Sequence, residues 1–142
     1  MKFRNLDYWI PTVLFSMGMV AGGLANISRS PEVVANLARL GYPPFLASIL
    51  GAWKLAGVVA LLAPGLVRLK EWAYAGYFFL LTGAFVTHLV AHDPAGQTMP
   101  SLVMLVFLLI SWARRPAQRV LGELKLPGTA TYSAPASASA AG

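Results

Sequence analysis

Lys54 is the residue most out of place in this chain. It interrupts a stretch that otherwise carries no formal charge from Leu40 to Val67. A lysine near the centre of a bilayer costs about 2.5–3.5 kcal/mol on insertion scales, so such residues face a bundle interior, pair there, or line a pocket. His88 and His92 stand four apart and are followed at once by Asp93. Side chains four apart share a helical face, a spacing that can hold a metal. Without cysteine or a third ligand from another element, the set His88, His92 and Asp93 is a weak metal candidate, and no metal is expected. Asn26 is polar near the end of an apolar run. Glu71 adjoins the start of another, where a carboxylate suits the positive end of a helix dipole as a cap.

Other chemistries are excluded by residue type. The absence of cysteine removes disulfides, thiolate metal sites, thiol–quinone exchange and cysteine nucleophiles. The two histidines share one face of one helix, which does not suit a bis-histidine haem needing ligands on opposite sides of the iron. No HExxH, GxSxG or phosphate-binding glycine loop occurs. No carboxylate lies inside an apolar run, so a proton-coupled transport relay lacks its central residue.

The elements that must position these residues are membrane spans. Of the 142 residues, 57% are hydrophobic and only 11% charged, under half the roughly 25% charged of soluble domains. Charge is absent from Tyr8 to Ser28, from Trp72 to His92 and from Pro94 to Ala113. With the run around Lys54 these predict four spans, at about 9–27, 44–63, 72–92 and 99–113, each near the roughly 20 residues a spanning helix needs. The last is short unless residues around Gln97 extend it. Tyr8, Trp9, Tyr42, Trp72, Tyr74 and Trp112 mark span ends as interface anchors. The first span has a basic start at Lys2 and Arg4 and small residues at Gly23 and Ala25, as a signal peptide does, but its length favours a retained span.

Lys2, Arg4, Arg68, Lys70, Arg114, Arg115, Arg119 and Lys125 fall on one side of this topology, against Arg29 and Arg39 on the other. The positive-inside rule therefore places both termini in the cytoplasm. The net charge of +6 is then a topology signal beside anionic lipid, and nucleic acid is not an expected partner. Ser30-Pro31-Glu32 opens a short amphipathic helix that carries Val33, Val34, Leu37 and Leu40 on one face and ends at Gly41. Small residues at Gly18 and Gly22, at Ala47 and Gly51, and at Gly76 and Gly83 offer close helix contacts. The expected fold is all-α: an integral membrane four-helix bundle with the amphipathic helix in the first loop. Residues 1–126 form its single domain, and 127–142 form a disordered Ala/Ser/Pro-rich tail.

Side-chain lean narrows the partners. Helical side chains point back toward their own N-terminus. Lys54, in a span running inward, leans outward. His88 lies six residues past Thr82, the midpoint of a span running outward, hence about 9 Å beyond the midplane and leaning inward. Both approach one level in the outer half, with Asn26 nearby. Glu71, roughly 15 Å from Lys54 in depth, is out of reach.

Gly51-Ala52-Trp53-Lys54-Leu55-Ala56-Gly57 resembles the G-x-x-K-L-x-G stretch of the DoxX-like membrane proteins. Glu71-Trp72-Ala73-Tyr74-Ala75-Gly76, with Gly83-Ala84, Thr87-His88 and Asp93, is similar to that family's third helix. The resemblance spans about residues 8 to 115. It implies a four-helix membrane bundle without cofactor motifs of its own. It also implies intramembrane polar residues at Lys54, Glu71, His88 and Asp93, with Glu71 and Asp93 in structural roles, and an association of the wider DoxX/DoxD group with membrane oxidoreductases.

The leading expectation is a bacterial inner-membrane protein that binds a lipophilic small molecule, with a quinone as first candidate and no intrinsic cofactor. Lys54 and His88, with Asn26, would supply polar contacts, and Trp53, Tyr77 and Phe78 aromatic walls. Membrane oxidoreductase subunits or further copies of the chain are candidate partners beside the lipid bilayer. One alternative is a membrane enzyme acting on a lipid-like substrate, with His88 as acid or base tuned by Lys54. Another is a structural or assembly subunit without a ligand.

Overall fold

The computed structural model describes residues 5–122. The tail expected at 127–142, and the basic residues Lys2, Arg4 and Lys125, lie outside the described residues. The chain forms α1 (Leu6–Ile27), α2 (Pro31–Arg39), α3 (Phe45–Leu62), α4 (Val67–Val90) and α5 (Ala95–Ala113), then a single 3₁₀ turn at Ala117–Arg119. All but α2 are long and apolar enough to cross a membrane. Around the bundle the order is α1, α3, α4, α5 and back to α1, and each helix contacts its neighbours in the ring. Large apolar side chains such as Trp53, Val59, Phe79 and Val90 face outward, as expected where the solvent is lipid.

Two boundaries differ most from the expected spans. The fourth helix is not short, because it begins at Ala95 and runs through Gln97 and Pro100. The third begins at Val67, five residues early, and takes in Arg68, Lys70 and Glu71. Lys70 explains the extension. It is 1% exposed, and its ammonium donates to the Ala60 carbonyl at 2.8 Å, to Leu61 at 3.1 Å and to Ala63. These are the carbonyls that the end of α3 leaves unbonded, at the negative end of its dipole. Arg119 adds a bond to Leu61 at 3.0 Å. Glu71 thus sits beyond the first turn of α4 and does not cap it; it accepts from Arg115 at 2.5 Å.

Tyr8 and Tyr74 are not interface anchors: they are buried core residues, with Arg119 near the Tyr8 ring and Arg115 over the Tyr74 ring. Trp9, Trp72 and Trp112 do face outward, and Tyr42 is exposed at the rim of the bundle's cavity. Gly51 is where α1 and α3 touch, since a Cβ there would meet the Gly23 carbonyl at 2.7 Å and the Ile27 nitrogen at 2.9 Å. Gly18 packs on Met104 of α5. Gly76 and Gly83 form no seam, because a Cβ at either would meet nothing within 4 Å.

The interior is filled unevenly. In the half nearest the termini, Phe15, Val58, Leu61, Tyr74, Tyr77 and Leu108 make a dense core. Thr12 and Ser111 share a hydrogen bond of 2.6 Å there, and Ser111 shares another of 2.7 Å with Tyr74. Toward the α2 end, the inward positions of α1 pass from Phe15 and Met19 to Gly22 and Asn26, and those of α4 from Tyr77 and Leu81 to Ala84 and His88. Side-chain volume falls, and the bundle becomes hollow.

Candidate functional site

The hollow half holds a cavity of about 660 Å³ reached by all five helices, a size typical of small-ligand sites. Its walls are mostly Gly, Leu, Met, Val and Ala, and Asn26, Lys54 and His88 all line it. The structure thus brings the three expected polar residues to one space, without a direct hydrogen bond among them. Phe79, Gly83 and Met104 also contribute to the lining.

Lys54 is carried in by the glycines around it. Gly51 lets α3 press against α1, and the Lys54 ammonium lies 3.6 Å from where a Cβ on Gly22 would sit. Gly57 makes room for the Tyr77 ring, which a Cβ would meet at 2.6 Å, and the Tyr77 hydroxyl donates to the Lys54 carbonyl. Among the described residues the Lys54 ammonium has no ion-pair partner; it is a half-buried cation facing the cavity.

His88 stands at the α2 end, fixed by the way α4 stops. Ala91 is the last turn residue, His92 takes the left-handed conformation with φ 56°, and the Asp93 N–H bonds back to the His88 carbonyl at 3.0 Å. This is a Schellman ending, in which the residue after the left-handed one folds back over the last turn. It brings an Asp93 carboxylate oxygen to 2.6 Å from His88 Nδ1. An ionised carboxylate only accepts, so Nδ1 carries the proton and Nε2 is the ring nitrogen open to a ligand. His92 therefore shapes the turn. Among the described residues no three His, Asp or Glu side chains form a group that could hold a metal ion, so His88, His92 and Asp93 do not converge as a metal set.

Asp93 is also where α2 is fastened. The Arg39 guanidinium, at the end of α2, grips both carboxylate oxygens, one of them at 3.0 Å. It donates further to Gln97 at 2.9 Å and to Asn36 at 2.6 Å. Hydrogen bonds from Arg39, and next from His88, hold the Asp93 carboxyl below the usual carboxylate range. The same contact raises the Arg39 pKa. The chain enters α2 as expected: the Ser30 hydroxyl accepts from Val33 N at 3.4 Å, Pro31 is the first helical residue, and Gly41 with φ 80° ends it. Val33, Leu37 and Leu40 then line the cavity, so α2 roofs it.

The three aromatic residues expected as walls lie elsewhere. Trp53 is 71% exposed on the outside, Tyr77 is in the core under Gly57, and Phe78 packs edge-on against Phe79. Helix rotation explains the miss: Phe79, next in sequence, reaches the edge of the cavity while most of its ring faces outward. Arg39, Asn36 and Gln97 were not expected at the site. The usable signal was Asn36 and Arg39 three apart in an amphipathic helix, which places both on one side of α2.

With this geometry in place, the comparison with known families is informative: the model of the DoxX-like family matches residues 10–113. The chain belongs to the DoxX-like family. The match covers α1 from Ile10 onward, the other three spans and the roof. It ends where α5 ends, so the 3₁₀ turn that brings Arg119 back onto the α3 terminus lies beyond it. No curated protein and no solved structure matches the chain.

Proposed function

We propose that this DoxX-like membrane protein binds a lipophilic, carbonyl-bearing small molecule in the cavity, and that a quinone is the class it takes. The observation that carries the reading is the Lys54 ammonium, without an ion-pair partner among the described residues, facing the same apolar-walled space as His88. A quinone presents two carbonyl acceptors and an apolar body. Lys54 donates to a carbonyl, His88, whose Nδ1–H is held by Asp93, offers Nε2 as an acceptor to the hydroxyl of the reduced, quinol form, and Leu, Met and Val side chains cover the ring and tail. By the distribution of lysine and arginine, the ends carrying the termini face the cytoplasm of a bacterial inner membrane, and the cavity lies in the outer half of the bilayer. A redox role, and subunits of a membrane oxidoreductase or further copies of the chain as partners, would follow from a bound quinone.

Titration of a short-chain ubiquinone into protein held in nanodiscs tests this. Wild type should saturate, and Lys54→Met should weaken binding by roughly 10–100-fold, the loss of one hydrogen bond to a charged donor. Equal affinities for the two would contradict the role given to Lys54.

The His88–Asp93 pair favours a second reading. A carboxylate that fixes an imidazole through Nδ1 leaves Nε2 suited to proton transfer, as an enzyme acting on a lipid-like substrate would need. That reading requires turnover by the purified protein that is lost in His88→Ala while ligand still binds.

A further inference from the structure

The cavity has a roof, α2, and a floor, the packed core, but its wall between α3 and α4 is closed only in part. On the terminal side the two helices are zipped where Tyr77 fits under Gly57 and reaches the Lys54 carbonyl. On the α2 side of that contact Leu46 and Leu50 on α3, and Phe79, Gly83 and Thr87 on α4, all line the cavity. At about 100° per residue, Leu80, Ala84 and Thr87 share the flank that Tyr77 turns toward α3, and Phe79 and Gly83 form its outer edge one turn apart. Both edge residues are also exposed on the outside of the bundle, Phe79 at 71%. A Cβ on Gly83 would meet no atom within 4 Å. Residues that line a cavity and are also exposed lie at its rim: Tyr42, Gln97 and Pro100 do so beside α2 and along the first turns of α5, under the grip of Arg39, and Phe79 and Gly83 do so at the edge between α3 and α4.

We propose that the cavity opens sideways into the bilayer through a window between α3 and α4, and that Gly83 keeps this window clear for lipophilic molecules arriving from the membrane. The proposal rests on the reading of the cavity as a ligand site. The chemistry suits the route. A molecule dissolved among acyl chains passes Leu46, Leu50 and Phe79 without entering water. Entry through the roof would instead require breaking the grip of Arg39 on Asp93, Gln97 and Asn36. Phe79, free on its outer side, is the side chain able to swing across the opening. Gly83 is placed where any larger side chain would narrow it.

The chain contains no cysteine, so one introduced thiol reports access directly and without knowledge of the ligand. Asn26 lines the cavity and is only 8% exposed, and it lies near the roof, where a route from water would reach it first. In nanodiscs, Asn26→Cys should react with a membrane-partitioning N-alkyl maleimide and resist a sulfonated, water-soluble one. Adding Gly83→Ala, Gly83→Leu or Gly83→Phe should slow the lipophilic reagent progressively, by at least about tenfold for Phe, the rate effect of roughly 1.4 kcal/mol of added barrier. Gly76→Phe, on the same helix but away from the cavity, should not slow it. An unchanged rate across the Gly83 series overturns the proposal. So does labelling by the sulfonated reagent as fast as by the lipophilic one, or no labelling by the lipophilic reagent with Gly83 intact. Quinone binding plays no part in this readout, so a chain that fails to bind quinone yet shows the graded block loses the ligand reading and keeps the window.

Discussion

Two lysines lie inside the helical bundle, and their surroundings assign them opposite roles. Lys70 is enclosed by three carbonyls at the end of α3, whereas Lys54 faces a cavity with no ion-pair partner among the described residues. Lys70→Met should destabilise the protein by about 1–3 kcal/mol, the cost of leaving buried carbonyls unbonded. Lys54→Met should stabilise it, by no more than the roughly 2.5–3.5 kcal/mol that a mid-span lysine costs. Thermal unfolding of the two variants in one detergent checks both signs. Asp93 provides a second test. Its carboxyl is depressed in the folded protein, mainly by Arg39 and then by His88. Its stabilising contribution is therefore complete above the ordinary carboxylate pKa of about 4 and is lost as pH falls through the lower folded value. Asp93→Asn should be less stable than wild type at neutral pH and should lose less on acidification from pH 5 to pH 3, read as the difference between the two melting curves. Lys54 was legible in the sequence because a charge inside an apolar run has few explanations. Lys70 was not, because beside Arg68 and Glu71 it reads as a loop charge until the end of α3 is placed over it.

At the scale of elements, three helices end at the α2 side with one device. Arg29, Gly41 and His92 each take a left-handed conformation, and the next N–H bonds back to Ala25, Leu37 and His88 respectively. For His92 this predicts that His92→Gly leaves stability level or raises it, while His92→Val lowers it by about 1–2 kcal/mol, since a β-branched residue tolerates that conformation poorly. Chemical denaturation of the variants separates the two. Close approach makes a sharper demand at Gly51, where an added methyl meets backbone of α1. Gly51→Ala should cost about 1–3 kcal/mol, whereas Gly76→Ala, in open space, should not destabilise. The sequence foretold α2 well, since Ser30, Pro31 and Gly41 each mark a boundary by their own chemistry. The start of α4 was misplaced because Pro64-Gly65 and the charges after them obscure a helix whose first turn is stabilised from outside, by the α3 carbonyls. The glycines of the motif at 51–57 were visible, but their division of labour was not. Gly51 serves the α1 crossing and Gly57 admits Tyr77, contacts that exist only once three helices are assembled.

For the whole molecule, the informative property is its asymmetry along the bundle axis. The half near the termini is packed with aromatic rings, a chain of hydroxyls, and arginines seated on the rings. The other half is hollow, thinly roofed and polar at its centre. Four helices fixed in a ring by their terminal halves can leave the other halves apart, which is how a chain of this length forms a cavity inside a membrane. That Lys54 and His88 approach one level along the bundle was readable from helix rise and side-chain lean, and both line one space. The walls were not readable, because choosing Phe79 over Trp53 or Phe78 depends on the rotation of each helix, and lipid-facing and cavity-facing positions here are equally apolar. Orientation belongs to this scale as well. Reporter fusions after Gly122 should be active only with a cytoplasmic reporter, and periplasmic activity there would reverse the sidedness.

The claim that most needs testing is that the cavity takes a lipophilic ligand. Photolabelling in nanodiscs with an azido-quinone, followed by peptide mapping with and without excess unlabelled quinone, addresses it directly. Label that concentrates on the segments around Asn26, Lys54, Gly83–His88 and Gln97–Met104, and that unlabelled quinone displaces, is the expected result. Label spread over outward-facing positions such as Val59 and Val90, undiminished by competitor, would contradict it.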